Sequence, residues 1–183
     1  MTKEEKGNVF LCGFMATGKS SVGKRLAEAL HCEFLDMDVL IEAEAGTTIS
    51  EIFSSRGEPA FRAIESRLVA RLAERSGCVV ATGGGAVINP QNLENMKRSG
   101  VVITLTADIP AILQRSAGED TRPLLQAADR EERIRSLMAQ REPFYAKADI
   151  IFDTSHLSID EVVTVLVNQL QQAGYGLRGF HKY

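Results

Sequence analysis

The chain has 183 residues, a net charge of −3, 44% hydrophobic residues and 25% charged residues. This composition is close to the average of a globular protein of about one domain, and it excludes a disordered tail protein, a collagen-like repeat and a coiled-coil rod. The excess of acidic residues gives no electrostatic reason to expect nucleic acid or an anionic membrane surface as a partner.

The longest apolar runs are far shorter than the roughly 20 residues that a membrane-spanning helix needs. The first six residues are mixed in charge and lack the apolar stretch of a secretory leader. The three cysteines form no CxxC pair, and an odd number leaves one of them unpaired within a monomer, which suits a reducing compartment. We therefore expect a cytoplasmic protein with no membrane and no nucleic acid as partner, and we expect it to be a monomer.

Strand patterns and helix patterns alternate along the chain. An apolar run at Asn8–Cys12 stops before Gly13, and a helix pattern with one apolar face follows from about Lys19 to Leu30. Four further apolar runs are predicted to be strands: Phe34–Leu35, Cys78–Ala81, Val101–Leu105 and Ile150–Phe152. Because these runs are apolar on both faces, they are typical of the buried strands of a parallel sheet.

Capping patterns indicate where helices start. Three pairs have the spacing of a capping box: Thr48 with Glu51, Asp129 with Glu132, and Ser158 with Glu161. Asn89–Pro90 is typical of an N-cap followed by proline at the first helical position. Further helix patterns cover about residues 59–74 and 157–172. This order of strands and helices predicts an α/β domain with helices on both faces of a parallel sheet.

The segment Gly13–Ser20 matches the pattern GxxxxGK[ST] and lies between a predicted strand and a predicted helix, the context expected of a phosphate-binding loop. Glycines let backbone N–H groups turn toward phosphate oxygens, and the helix N-terminus adds a positive partial charge. We expect Lys19 to reach the β- and γ-phosphates of a nucleotide and the Ser20 hydroxyl to bind Mg²⁺. The alternative is a glycine turn with a surface lysine.

Two carboxylates, Asp36 and Asp38, follow the second predicted strand. In an extended segment a period of two places them on the same side, at the sheet edge where ligands bind. We expect Asp36 to hold Mg²⁺, directly or through water, and Asp38 to orient or deprotonate an acceptor hydroxyl. A solvated acidic turn that caps a helix is an equally good interpretation of this motif alone.

Three glycines, Gly83–Gly85, follow the predicted strand Cys78–Ala81 and suggest that a ligand approaches the backbone closely, although a flexible turn is the alternative. Arg62 and Glu65 are one helical turn apart, as in a surface ion pair. Arg141 is predicted to end a helix, where the helix dipole favours a cation. Taken singly, both arginines are more typical of solvated charges than of ligand contacts.

The segment Ser116–Asp129 has no strand or helix period and contains a glycine and a proline. A long irregular segment inside a compact domain is often a lid or a binding loop, and a plain surface loop is an equally good interpretation.

Taken together, these motifs resemble those of the shikimate kinase family, small P-loop kinases of the nucleoside-monophosphate-kinase group. The matching segments occur in the family's order: Gly13–Ala27, Asp36–Asp38, Ile49–Phe53, Gly57–Glu58, Phe61–Glu65, Thr82–Gly85, Arg122–Leu125, and Arg141–Tyr145 leading to Ala148–Asp149. The resemblance implies a three-layer α/β/α P-loop kinase fold with a mostly five-stranded parallel sheet, in a single domain over residues 1–183. Within it, residues 36–62 would form the substrate-binding region, 116–128 a mobile lid and 174–183 a tail.

The resemblance also implies the reaction and its residues. The family transfers the γ-phosphoryl group of ATP, with Mg²⁺, to the 3-hydroxyl of shikimate in the route to chorismate and the aromatic amino acids. Positions that match shikimate contacts are Asp38, Arg62, Gly83, Gly84, Gly85 and Arg141. Positions that match nucleotide contacts are Gly13, Ala16, Thr17, Gly18, Lys19, Ser20, Ser21, Arg115 and Arg122, with Ser20 and Asp36 for the metal. Arg115 would lie beside adenine, and Arg122 matches a lid arginine that joins Lys19 and Asp38 in catalysis.

The chain departs from the family pattern in two places. Ala16 stands where many members have a further loop glycine, and a methyl group there is expected to require a negative φ. The segment after Asp153 lacks an arginine that some members place near adenine. Two alternatives stay open: a kinase of the same group acting on another small molecule such as gluconate, and a non-catalytic nucleotide-binding regulator.

Overall fold

The computed structural model describes residues 7–117 and 130–174. Over these residues it contains five parallel strands, in the order β2-β3-β1-β4-β5 across the sheet. The strands are β1 (Asn8–Cys12), β2 (Glu33–Asp36), β3 (Cys78–Ala81), β4 (Gly100–Thr106) and β5 (Ile150–Asp153). The sequence therefore predicted all five strands, with bounds within one residue of those observed, and the predicted α/β fold with a parallel sheet is confirmed.

Helices cover both faces of the sheet. They are α1 (Lys19–Ala29), α2 (Met37–Ala45), α3 (Ile49–Ala73), α4 (Pro90–Ser99), α5 (Ile109–Arg115), α6 (Arg130–Tyr145) and α7 (Ile159–Gln172). A short 3₁₀ turn at Ala86–Ile88 precedes α4. No helix of the described ranges is both long enough and apolar enough to cross a membrane.

The two faces of the sheet form separate apolar cores because side chains alternate along each strand. From β1, Val9 and Leu11 pack with α1 and α7, whereas Phe10 and Cys12 pack on the opposite face with residues of α2 to α6. β1 is buried along its whole length. β1 is buried on both faces and paired on both edges, so its position in the sheet is rigidly determined. The phosphate-loop motif begins directly after it and therefore starts from a fixed point.

The predicted helix starts are mostly confirmed. Thr48 and Ser158 form complete capping boxes with Glu51 and Glu161, and the Asn89 side chain accepts a hydrogen bond from the Gln91 N–H. Asp129 lies outside the described residues. The helix predicted from residue 157 begins at Ile159, because Ser158 is its N-cap.

The helix predicted over residues 59–74 is the second half of α3, which joins the helix that Thr48 caps at a kink at Gly57, whose φ of 78° and ψ of 169° are not helical. One prediction about helices was wrong. The segment after Asp36, predicted to be extended, is helix α2. It begins at once because the Asp36 side chain accepts a hydrogen bond from the Asp38 N–H at 3.0 Å and so caps the helix.

Candidate active site

The candidate site is a cleft of about 830 Å³ at the C-terminal edge of the sheet, where β1, β2 and β3 end. Strand ends of a parallel sheet meet at one edge, so residues far apart in sequence converge there. The cleft brings together six residues that the sequence singled out: Lys19, Ser20, Asp36, Asp38, Gly84 and Arg141. Ala16, Gly18 and Ser21 of the phosphate loop line it as well.

Two glycines allow the tight turn of the phosphate loop. Gly13 has φ 134°, and a Cβ there would lie 2.2 Å from the Leu105 carbonyl oxygen, so no side chain fits between the loop and β4. Gly18 has φ 96° and is the N-cap of α1. The loop therefore lies directly against the sheet and ends at a helix N-terminus, which carries the positive partial charge that favours an anion.

Side chains of the loop bond to its own backbone. Lys19 Nζ donates to the carbonyl oxygens of Gly13 at 2.9 Å and Phe14 at 2.8 Å. The buried Thr17 hydroxyl also donates to the Phe14 carbonyl, at 2.9 Å. The ammonium of Lys19 is thus held on the inside of the loop, facing the cleft, and the loop keeps its curved shape through its own hydrogen bonds.

The expectation about Ala16 was wrong. Its φ is 59°, in the left-handed region, rather than negative. The loop turns at this position whichever residue occupies it, because Gly13, Gly18 and the Lys19 hydrogen bonds determine the path of the chain on either side. The methyl group is therefore accommodated at the cost of backbone strain.

Ser20 and Asp36 form an oxygen pair that lines the cleft. The Ser20 hydroxyl donates to Asp36 Oδ2 at 2.6 Å. No group of three or more His, Cys, Asp or Glu side chains suited to a metal is present in the described parts of the chain. Mg²⁺ commonly takes one or two protein oxygens and fills its other positions with water and phosphate, so this pair fits Mg²⁺ better than a metal that needs a full protein cage.

Asp38 lies in the first turn of α2 and lines the cleft. The argument that placed it beside Asp36, an extended segment with a period of two, was wrong, because the two residues are an N-cap and a first-turn residue of the same helix. Both nevertheless line the cleft. A Cβ on Gly83 would lie 3.4 Å from Asp38 Oδ1 and 2.7 Å from Glu65 Oε1, so these carboxylates border the glycine turn.

Arg62 is held by two carboxylates of its own helix. Its Nη1 contacts Glu65 at 2.8 Å and its Nη2 contacts Glu58 at 3.0 Å. The predicted ion pair with Glu65 is present, but it is not a surface pair, because only 1% of Glu65 is exposed. A Cβ on Gly85 would lie 2.5 Å from Arg62 Nη1, so the guanidinium packs directly on the glycine turn.

Burial raises the pKa of the Glu65 carboxyl. The Arg62 guanidinium offsets part of this shift, the Asp38 carboxylate adds to it, and Arg141 acts in the same direction as Arg62. Glu65 Oε1 is buried and accepts no hydrogen bond. The helical spacing of Glu65 from Arg62 is visible in the sequence, but the burial of Glu65 is not, because it depends on the packing of α3 against the glycine turn.

Arg141 reaches the glycine turn from α6, whereas Arg62 reaches it from α3. Its guanidinium carbon lies 5.6 Å from the centre of the Phe14 ring, and a Cβ on Gly84 would lie 3.3 Å from Arg141 Nη1. Arg141 is four residues before the end of α6. The two arginines therefore flank the Gly83–Gly85 turn, an arrangement that no single motif predicted.

Arg115 lies near the other end of the phosphate loop. Its guanidinium donates to the Thr154 hydroxyl at 3.0 Å and to the Ser155 carbonyl at 3.3 Å. Thr154 is buried and bonds to the Thr17 carbonyl at 3.1 Å, so it connects Arg115 to the loop. The sequence analysis missed Thr154, and a threonine just after a strand carries no signal that would have identified it.

Three sequence predictions fall wholly or partly outside the described residues. Arg122 lies there, as do residues 118–128 of the predicted lid and 175–183 of the predicted tail.

Comparisons with known proteins show which family the chain resembles. The family model for shikimate kinase matches residues 15–171. The shikimate kinases of Geobacter metallireducens and Geobacter sulfurreducens are 45% and 46% identical to the chain, in each case over 90% of this chain and more than 90% of the relative. The solved structure of shikimate kinase from Acinetobacter baumannii in complex with shikimate matches with a TM-score of 0.88 and 35% identity, over 93% of this chain and 96% of that one.

Proposed function

The chain belongs to the shikimate kinase family, and from this membership we propose that it transfers the γ-phosphoryl group of ATP to the 3-hydroxyl of shikimate, giving shikimate 3-phosphate and ADP. One observation carries the proposal. The cleft is lined by the phosphate loop with Lys19 and by Asp38, Gly84 and Arg141, and the Arg62 guanidinium packs on the adjoining Gly85.

The second half of the cleft suits an acid that carries hydroxyl groups. Arg62 and Arg141 flank the Gly83–Gly85 turn, and a planar guanidinium matches the plane of a carboxylate. Asp38 is an acceptor for hydroxyl protons at the edge of the same turn. We assign the carboxylate of shikimate to the two arginines, its hydroxyls to Asp38, and contacts with the turn to Gly83, Gly84 and Gly85.

The first half suits a nucleoside triphosphate. The loop residues Gly13 and Ala16–Ser21 surround the phosphates, and the Lys19 ammonium binds the oxygens of the group that is transferred. Ser20 and Asp36 are the residues that would hold Mg²⁺, which when bound neutralises negative charge on the phosphate oxygens. Arg115, at the far end of the loop, is assigned to adenine.

In the reaction, Asp38 holds the 3-hydroxyl in line with the γ-phosphorus and accepts its proton. A bond forms between the hydroxyl oxygen and phosphorus, the bond from phosphorus to the oxygen bridging to the β-phosphate breaks, and ADP leaves with that oxygen. Lys19 stabilises the charge that develops. Arg122 is assigned to the same task from its position in the family motif. Most of the acceleration comes from placing the two substrates together.

We further propose that the enzyme acts in the cytoplasm as a monomer, with shikimate as its small-molecule substrate and without nucleic acid or membrane as a partner. The acidic composition supports the exclusion of nucleic acid.

A coupled assay of ADP release tests the proposal against its alternatives. The purified chain, with ATP and Mg²⁺, is offered shikimate, quinate, gluconate or AMP in parallel. We expect rapid turnover with shikimate and little with the other three, because only shikimate combines the carboxylate with the hydroxyl placement that the cleft is proposed to bind. Preferred turnover of gluconate or AMP would identify another kinase of the group. Binding of ATP without turnover of any acceptor would identify a nucleotide-binding regulator.

A further inference from the structure

We propose that Tyr145 is a positioning residue for shikimate, which fixes the Gly83–Gly85 turn in the orientation that binds the substrate. The inference rests on the proposed function, since it concerns the same cleft. Tyr145 itself is assigned no substrate contact. It acts through the backbone of the turn.

The geometry connects Tyr145 to the turn by one well-formed hydrogen bond. Its hydroxyl donates to the Gly84 carbonyl oxygen at 2.7 Å, although the two residues are 61 positions apart in sequence. The ring is buried in the core beneath the cleft, with 7% of the residue exposed. Its own carbonyl accepts a hydrogen bond from the buried Thr104 hydroxyl at 3.1 Å. Tyr145 is therefore anchored to β4 at its backbone and to the glycine turn at its side chain.

Fixing the Gly84 carbonyl also fixes the next N–H group. The chain has no cis peptide bond among its described residues, so the Gly84 carbonyl and the Gly85 N–H point in opposite directions from one planar unit. The carbonyl points toward Tyr145, on the α6 side. The Gly85 N–H is consequently directed away from α6.

Three successive glycines need such a restraint. Without side chains they sample more backbone conformations than any other residues, and ordering them when a ligand binds costs conformational entropy. A hydrogen bond that is already present in the unliganded chain removes part of this cost from substrate binding. The backbone hydrogen bonds of the turn, from the Ala86 N–H to the Gly83 carbonyl at 3.1 Å and from the Ile88 N–H to the Gly85 carbonyl at 3.0 Å, leave the Gly84 carbonyl to Tyr145.

The same hydrogen bond sets the position of Arg141. Tyr145 lies four residues after Arg141 on α6, so the two side chains lie one above the other on the same helix face. Arg141 Nη1 would be 3.3 Å from a Cβ on Gly84, and Tyr145 Oη 3.7 Å from it. Tyr145 thus holds the distance between the proposed carboxylate-binding guanidinium and the turn that it faces.

Tyr145 stays a hydrogen-bond donor throughout the working pH range. Burial raises the pKa of its hydroxyl to about 12, while the neighbouring Arg141 guanidinium opposes this shift. The proton that the Gly84 carbonyl accepts is therefore always present at neutral pH.

The test compares Tyr145→Phe with the matched control Thr104→Val. Tyr145→Phe removes the hydroxyl that donates to the Gly84 carbonyl and keeps the ring. Thr104→Val removes the hydroxyl that donates to the backbone carbonyl of Tyr145. Binding of shikimate is measured by calorimetry, both KM values by the ADP-release assay, and Tm by circular dichroism. We expect Tyr145→Phe to raise the Kd and KM for shikimate about 5- to 30-fold, with the KM for ATP unchanged.

Thr104→Val is expected to lower Tm and to leave the KM for shikimate within about twofold, because it alters no group that faces the turn. The proposal is overturned if Tyr145→Phe leaves shikimate affinity unchanged, if it raises both KM values equally, or if Thr104→Val has the same selective effect. A wild-type chain that neither binds nor phosphorylates shikimate would overturn the proposed function and this inference with it, whereas an active wild type with an unaffected Phe variant overturns the inference alone.

Discussion

Ala16 and His31 adopt left-handed backbone conformations that few non-glycine residues occupy, with φ of 59° and 47°. His31 follows the end of α1, where a left-handed residue commonly ends a helix. Ala16 is different, because it lies in the phosphate loop and lines the cleft. Strain of this kind persists only where surrounding contacts determine the conformation, and here the hydrogen bonds of Lys19 and Thr17 do so.

We predict that Ala16→Gly stabilises the chain by about 0.5–1 kcal/mol. Removing the strain of a left-handed alanine stabilises the folded state by about 1–2 kcal/mol. The greater conformational entropy of glycine in the unfolded chain lowers this gain by about 0.5–1 kcal/mol. Ala29→Gly, in the exposed last turn of α1, is the matched control and should destabilise by about 0.5–1 kcal/mol. Urea unfolding measures both. Destabilisation by both substitutions would show that the loop does not strain Ala16.

Arg122→Ala is predicted to lower kcat by about 10³-fold or more and to change the KM for shikimate far less, because an arginine that stabilises charge on the transferred group acts mainly in the transition state. Steady-state kinetics with both substrates measure the effect. Arg133→Ala, which removes an exposed arginine of α6, is the control. An unchanged kcat in Arg122→Ala would remove this residue from the mechanism.

Glu65 is predicted to make stability depend on pH. Because burial raises its pKa above the ordinary 4.5, the folded chain binds this proton more tightly than the unfolded chain does. Its contribution to stability is complete below pH 4.5 and is lost as the pH rises through the folded pKa. We therefore expect the unfolding free energy of wild type, minus that of Glu65→Gln, to decrease as the pH is raised from 4.5 and then to level off.

Urea unfolding at pH steps from 4 to 8 measures this difference. Glu58→Gln removes the exposed partner of the same Arg62 guanidinium and controls for the loss of an ion pair. A difference between wild type and Glu65→Gln that is constant over the whole range would contradict the prediction.

At the level of single elements, local patterns predicted strands better than helices. The five strands are short apolar runs that end at glycine, aspartate or threonine, whereas their order across the sheet was not predicted. α3 was predicted only in part, because Gly57 and Pro59 are ordinarily helix breakers. In the structure Gly57 is the kink between two helical halves, and Pro59 lies in the first turn after the kink, where its missing N–H removes no hydrogen bond.

The residues that follow β5 are predicted to position the phosphate loop and Arg115 for nucleotide binding. Thr154 bonds to Thr17 of the phosphate loop and accepts a hydrogen bond from Arg115. We expect Thr154→Val to raise the KM for ATP about fivefold, as for the loss of one hydrogen bond, and to leave the KM for shikimate unchanged. Steady-state kinetics with each substrate varied in turn provide the measurement.

Thr106→Val is the matched control for this prediction. It removes a threonine hydroxyl at the end of β4 that donates to the Phe152 carbonyl at 3.3 Å and bonds neither to the loop nor to Arg115. An equal rise in the KM for ATP in both variants would mean that Thr154 acts only through general stability of this edge of the sheet.

On the scale of the whole molecule, the sheet separates two apolar cores with different neighbours. One contains α1 and α7, and the other contains α2 and α3, which carry Asp38 and Arg62. Leu166 of α7 and Ile52 of α3 are both fully buried, one in each core. Truncating Ile52 therefore removes packing from the core that contains α2 and α3, whereas truncating Leu166 removes similar packing from the core that contains α1 and α7.

We predict that Leu166→Ala and Ile52→Ala each destabilise the chain by about 2–5 kcal/mol, since each leaves a cavity in a packed core. Only Ile52→Ala is expected to raise the KM for shikimate, because it loosens the packing between α2 and α3. Urea unfolding and steady-state kinetics at a temperature where both variants are folded provide the comparison. A selective effect of Leu166→Ala on shikimate would contradict the division of roles between the two cores.

Much of the site could be predicted from the sequence because its residues lie in motifs directly after strands, and strand ends of a parallel sheet share one edge. Lys19, Ser20, Asp36 and Gly84 were located in this way. The roles of Glu65, Tyr145 and Thr154 could not be, because each depends on contacts between segments that are 18 to 137 residues apart. The residue pattern within one segment does not predict which distant backbone group the side chains of that segment will contact.

The central place of β1 in the sheet has a consequence for how the protein is made. This strand is synthesised before both of its neighbours, β3 and β4, which are encoded far downstream. At about 5–20 residues per second, translation reaches Thr106 roughly 5 to 20 s after Cys12. During that interval an apolar strand has two unpaired edges, and the nascent chain cannot complete its nucleotide-binding end until β4 has been synthesised.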